Sequence, residues 1–180
     1  PMLEGTVDVR GENIQAGGES IVSAQANLEL TGDRGFDLSA RADRAGESVP
    51  LSVDASGQID RGLDGVRFDT FNAGSDQMTW SLDEGARISS RGGELSVQGL
   101  NLRSGNQRIS VDGSYQDSGP QNLDAELENV SIGEIREQLD IPQIPDARGE
   151  ISGSIRLRGT DREPIVTVYI LLEEYFHQGY

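Results

Sequence analysis

The sequence predicts an all-β chain, and three observations predict it. Apolar and polar residues alternate with a period of two through most of the 180 residues, 23 glycines punctuate the alternating runs, and a single short segment carries helical spacing. Successive strand side chains face opposite sides of a sheet, so this alternation makes one face apolar and the other polar. The expected architecture is a long, curved, mostly antiparallel sheet with one short helix.

The first strand is carried by Leu3, Gly5, Val7 and Val9, alternating with Glu4, Thr6 and Asp8, and the stretch from Asn13 to Gly18 reads as the turn after it. Val22, Ala24, Ala26, Leu28 and Leu30 form the next run and return through Gly32 and Asp33 to Phe36, Leu38, Ala40 and Ala42. Val49, Leu51, Val53, Ala55, Gly57 and Ile59 alternate without interruption, and Val66 with Phe68 follows across a glycine-rich turn. Met78, Trp80 and Leu82 make another strand. Leu95 and Val97 then share one parity and Leu100 and Leu102 the other, a phase slip centred on Gly99 that predicts a β-bulge and a bent strand. Ile109, Val111, Gly113 and Tyr115 are followed, beyond Ser118-Gly119-Pro120, by Leu123, Ala125 and Leu127.

The most regular run is the last. Ile151, Gly153, Ile155, Leu157 and Gly159 point one way, and Ser152, Ser154, Arg156 and Arg158 point to water or to a polar neighbour. About a dozen strands are expected in all. Ile132, Ile135 and Leu139 are spaced instead for a helix over 132–139. Ser131 and Glu134 make a capping box at its start and Pro142 a stop at its end. Residues 1–168 read as one segment of a larger protein. The stretch 169–180, with the only histidine, His177, changes character and reads as a frayed or appended end with no role.

Composition narrows the function. The net charge is −16 and all 15 basic residues are arginine, which argues against nucleic acid and against anionic headgroups at the outer surface. Without cysteine there is no disulfide framework, thiolate nucleophile or cysteine-held zinc. A Ser-His-Asp hydrolase would have to recruit His177 from the odd tail. Asp54, Asp60, Asp64 and Asp69 fit no calcium-loop spacing and read as solvated faces and turns. Arg156 and Arg158 read as cross-strand partners of acids, and Trp80 as an apolar-face residue. Gly17-Gly18 and Gly92-Gly93 precede no helix and read as turns. No catalytic, cofactor or metal residues are expected, and the chain reads as non-enzymatic.

Three segments together resemble a known family: Trp80 to Leu82, Gly93 to Leu102 with Ile109 to Gly113, and, after the capped helix, Gly149 to Thr160 with Pro164. Over about residues 50–168 this succession is similar to the large C-terminal region of the TamB family, AsmA-like bridges of the Gram-negative envelope. Its most specific piece is the ending Gly-x-Ile-x-Gly-x-Ile-x-Leu-x-Gly-Thr from Gly149 to Thr160. The resemblance implies a β-taco, a sheet folded into a U-shaped trough with an apolar interior. It implies a periplasmic location, with the parent protein anchored in the inner membrane outside this segment and reaching toward a TamA-like outer-membrane barrel. It implies as cargo phospholipid acyl chains, or strands of outer-membrane proteins under assembly. The residues expected to line such a groove are Leu51, Val53, Phe68, Trp80, Leu95, Val97, Leu100, Leu102, Ile109, Val111, Leu123, Leu127, Ile151, Ile155 and Leu157. The competing expectations are a structural or adhesive β-solenoid or β-sandwich with a closed core, and a glycan enzyme. The second needs two carboxylates roughly 5 to 10 Å apart in a cleft, which no spacing here selects.

Overall fold

The computed structural model describes residues 4–16, 19–45, 50–75, 78–131, 133 and 149–173. These form twelve strands: β1 Gly5–Ala16, β2 Glu19–Leu30, β3 Gly35–Arg44, β4 Leu51–Ile59, β5 Gly65–Gly74, β6 Thr79–Leu82, β7 Ala86–Arg91, β8 Glu94–Ser104, β9 Gln107–Gln116, β10 Pro120–Ser131, β11 Glu150–Thr160 and β12 Pro164–Glu173. The chain is all-β, and the twelve strands make one antiparallel sheet. Strands follow one another across it in chain order, except that β6 and β7 share one position between β5 and β8. The short strand β6 covers Asn72 to Gly74 of β5, and β7 covers Gly65 to Phe68. A meander of this kind needs only local turns, because each strand pairs with the one that returns beside it.

Four irregularities interrupt the ladders. The slip at Gly99 is present: pairing of β8 with β9 shifts between Val97 and Leu100, and Gly99 sits at φ 66°, where glycine has no Cβ to clash. Its amide donates to Asp112 Oδ2 at 2.9 Å, which satisfies the group that the bulge removes from the ladder. A second shift falls between Leu127 and Val130, where Asn129 at φ 50° donates its amide to Ser152 Oγ at 3.0 Å. The other two lie between Ser56 and Gly57 in β4 and between Ile21 and Ser23 in β2.

Three sequence expectations change. The turn expected from Asn13 begins later, because β1 runs through Ala16 and Asn13 is carried inside it at φ 54°, a conformation asparagine tolerates. Strand β7 carries only Ala86 and Ile88 as apolar markers between arginines and serines, too few to announce a strand. Strand β12 continues through Tyr169 to Glu173, so five residues of the expected tail belong to the sheet. The helix expected over 132–139 lies outside the described residues except for Gly133.

No side chain is fully buried among the described residues; the buried apolar set is Phe36, Ala55, Trp80, Ala86, Val97 and Val130. The accessible surface is 12218 Å². A compact folded monomer of this mass exposes about 8,500 Å². A single layer without an opposing layer accounts for both observations.

Candidate functional site

Antiparallel partners lie on the same face of a sheet, so the register traces each face across the strands. One row runs Val7, Leu28, Leu38, Ala55 and Phe71 from β1 to β5. A second runs Leu30, Phe36, Gly57, Phe68 and Ala86 from β2 to β7. Farther along, Val66, Ile88, Val97, Gly113, Leu123, Leu157 and Val166 form a row from β5 to β12. Beside it, Leu82, Leu102, Ile109, Leu127, Gly153 and Ile170 form another. One apolar face therefore crosses the whole sheet.

All fifteen residues expected to line a groove fall on that face. Leu51 and Val53 pair with Ala42 and Ala40, Trp80 pairs with Ala73, Leu95 with Tyr115, Leu100 with Val111, and Ile151 with Leu172. Ile155 lies between Ala125 and Val168. Trp80 and Val97 are buried; Leu95 and Ile155 are exposed at 44% and 39%; the remaining eleven are half-buried. Half-burial of a Leu or Ile on a face is what neighbouring side chains in the same layer provide without a second layer above them.

Sequence reasoning left several face residues out of the site. Phe36 and Leu38 belong to an alternating run in the part least like the suggested family, and Ala55 lies within the resembling part, on the same run as Leu51 and Val53. Phe71 was hidden by a phase slip: Val66 and Phe68 are even, Phe71 and Ala73 odd, and the register moves between Ser56 and Gly57 opposite Asp69. The glycine at that slip, Gly57, lies on the partner strand β4, whose own alternation stays in phase, whereas Asp69 on β5 is the residue skipped in the pairing. The ring of Phe68 lies within stacking reach of both Phe36 and Phe71, at centroid distances of 5.8 and 6.1 Å.

The opposite face is polar and ion-paired. Arg158 donates through Nη2 to both oxygens of Asp124, at 2.8 and 2.7 Å, and through Nη1 to the Leu123 carbonyl at 3.0 Å. Arg156 stands 3.6 Å from the same carboxylate. Arg103 pairs with Asp83, Arg67 with Asp69 and Arg87 with Asp60. Arg91 Nε donates to Asp64 Oδ2 at 2.6 Å, and this hydrogen bond, more than any other influence, holds the Asp64 carboxyl below its ordinary value. Of the four aspartates weighed as a cation site, three are thus engaged by arginines. Shallow hollows on this face are lined by mixed charge, one by Asp112, Asp124, Glu126, Arg156 and Arg158, another by Asp8, Arg10, Arg41 and Asp54. Charge of both signs at such short spacing is already neutralised within the protein.

The chemistry available is accordingly divided. The polar face offers paired ions to water. The apolar face offers aliphatic surface on which a hydrocarbon gains about 0.8 kcal/mol per methylene removed from water. No family model, curated protein or solved structure matches the chain.

Proposed function

We propose that this chain is a non-enzymatic segment of a Gram-negative envelope protein of the TamB type, and that its apolar face carries phospholipid acyl chains through the periplasm toward the outer membrane. One observation carries the reading: an apolar face continuous across twelve strands, with no described side chain fully buried. A sheet that belonged to a closed sandwich would interdigitate this face with a second layer about 10 Å away and would bury its central Leu and Ile residues. Here Leu95 and Ile155 remain over a third exposed. Contiguous apolar surface of this extent on a soluble chain is characteristic of a site that meets another apolar body. Aliphatic Val, Leu, Ile and Ala dominate it, and such a lining holds a hydrocarbon tail by area alone, which lets the tail slide.

In this reading the face is the inside of a trough, the polar and ion-paired side faces the periplasm, and a TamA-like barrel receives the cargo. The test is photocrosslinking from benzophenone side chains at Leu95, Val111 and Leu127 after expression in a Gram-negative envelope, with mass analysis of the adducts. Phospholipid adducts at all three positions are the expected result. Adducts to outer-membrane protein strands would replace the lipid cargo with a protein one, and adducts confined to the chain itself would mean a closed core and overturn the reading.

A further inference from the structure

Strand β12 differs from every strand before it, because it is apolar on both faces. Its apolar-face positions include Val166, Val168 and Ile170, and its other face carries Ile165, Tyr169 and Leu171 where the rest of the sheet is polar. No charge occurs from Pro164 to Leu172, and all of β12 is exposed. Long, flat, uncharged edges are what natural sheets avoid, usually with lysine, proline or a bulge, unless the edge is meant to pair. The opposite edge follows the usual practice, with Asp8, Arg10 and Glu12 along β1.

We propose that β12 pairs with β12 of a second copy of this chain across a twofold axis perpendicular to the sheet. The topology selects this arrangement. Every neighbouring pair is antiparallel, and with β6 and β7 sharing a position the two edge strands run in the same direction. Adding a copy head to tail, β1 against β12 with the apolar faces aligned, therefore requires a parallel ladder, which is the less stable kind. The twofold arrangement gives an antiparallel ladder and keeps the apolar faces on one side. It is isologous, as most dimer interfaces are.

Charge selects the register. A twofold centred on Val168 sets Glu163 against Glu173 at both ends of the ladder, whereas one centred on Tyr169 pairs Val168 with Ile170 and Val166 with Leu172 and opposes no like charges. The ladder pairs the outward backbone groups of β12 and brings the flanks of the exposed Val168, Tyr169 and Ile170 side chains together across the axis.

The chain lacks cysteine, which makes the axis directly readable. Tyr169→Cys places two thiols across the axis at a spacing that a disulfide spans. Mild oxidation of purified Tyr169→Cys is expected to give one covalent dimer, and light scattering of the unaltered chain a dimer in solution. Val168→Lys should return the chain to monomer with its β circular dichroism intact. Val7→Lys, on the opposite edge, should leave the dimer unchanged. A monomer at all accessible concentrations, a ladder of higher oligomers, or a dimer that survives Val168→Lys and dissolves with Val7→Lys would each overturn the proposal.

Discussion

The rings of Phe36 and Phe68 meet edge to face, with centroids 5.8 Å apart and planes at 89°, above a residue that has no side chain. Both are registered opposite Gly57, Phe36 from β3 and Phe68 from β5. Two strands separated by a third lie about 9.6 Å apart, and the rings bridge that gap because the middle strand contributes only backbone. The cluster supplies local packing to a sheet that lacks an opposing layer. A double-mutant cycle of Phe36→Ala and Phe68→Ala in urea unfolding is expected to give a coupling energy of about 1 kcal/mol. Strict additivity of the two substitutions would mean that the rings act independently.

Gly57 itself is held by close approach of the neighbouring backbone. A Cβ built there falls 1.9 Å from the Arg67 carbonyl oxygen, at the point where the β4 and β5 ladder changes register. Gly57→Val is expected to cost at least about 2 kcal/mol, in the range of overpacking and bulge disruption. Gly5→Ala, where an added Cβ meets nothing within 4 Å, should change stability by less than about 0.5 kcal/mol. Thermal unfolding of the two variants side by side checks both values.

Much of this arrangement was legible in the sequence because a period of two leaves little freedom once one face is apolar. Ile151 to Gly159 and Leu51 to Ile59 placed their strands and faces, and Gly99 announced its bulge by combining a phase slip with the residue that tolerates it. The slip opposite Asp69 was not legible, since the β5 residues beside it, Phe68 and Thr70, are ordinary strand formers, and Gly57, which flanks it on β4, does not break the alternation of its own strand; only the pairing of the two defines the register. Strand β7 was hidden by its shortness. The apolar run after Pro164 does not alternate, so a period of two could not carry β12 past residue 168, and non-alternation is what a strand apolar on both faces produces. Fifteen face residues were identified by parity, whereas their degree of exposure depends on the absence of a second layer, which parity does not encode.

Arg158 and Arg156 occupy the same face of β11 but differ in geometry. Arg158 makes a double contact to Asp124 and also donates to the Leu123 carbonyl, while Arg156 is 3.6 Å from Asp124 and more than half exposed. Arg158→Ala is expected to cost about 1 kcal/mol and Arg156→Ala less than about 0.5 kcal/mol. Arg158→Lys should not restore the loss, because an ammonium lacks the planar donor set. Chemical denaturation at low and at moderate salt checks this: with Arg158 and Asp124 both well exposed, the charge part of the Arg158 effect should shrink as salt rises, while the hydrogen bond to the Leu123 carbonyl remains.

Asp64 gives the chain an acid-sensitive contact. Its carboxyl is held below its ordinary value chiefly by the Arg91 hydrogen bond, with the Arg91 and Arg87 charges adding to it and burial opposing them. A depressed folded-state value means that the contact stabilises the fold at pH above the unfolded carboxyl's value and is lost as pH falls through the folded one. The unaltered chain should therefore be more stable than Asp64→Asn at neutral pH, with the difference shrinking below the ordinary carboxylate range. Melting temperatures of both across an acid series measure it, and a difference that stays constant with pH would assign the effect to something other than ionisation.

Two neighbours on β8 separate cargo binding from folding. Leu95 lies on the apolar face at 44% exposure, and Ser96, the next residue, lies on the polar face opposite Ser89 and Ser114. Because Leu95 is nearly half open to water, Leu95→Asp puts a carboxylate where it can stay solvated, and the fold should lose less than at a buried position. A hydrocarbon crossing the same spot must leave the carboxylate hydrated or go around it. Losing contact with about three methylenes corresponds to roughly 2.4 kcal/mol, a weakening of some fiftyfold. Ser96→Asp adds the same charge to the polar side and should change neither property. Val111→Arg, half-buried between Leu100 and Ala125, should lower both stability and binding. Titration of a fluorescent acyl probe, run beside thermal unfolding on the same samples, distinguishes the three. If Leu95→Asp and Ser96→Asp bound the probe alike, the apolar face would not be where the chain meets hydrocarbon.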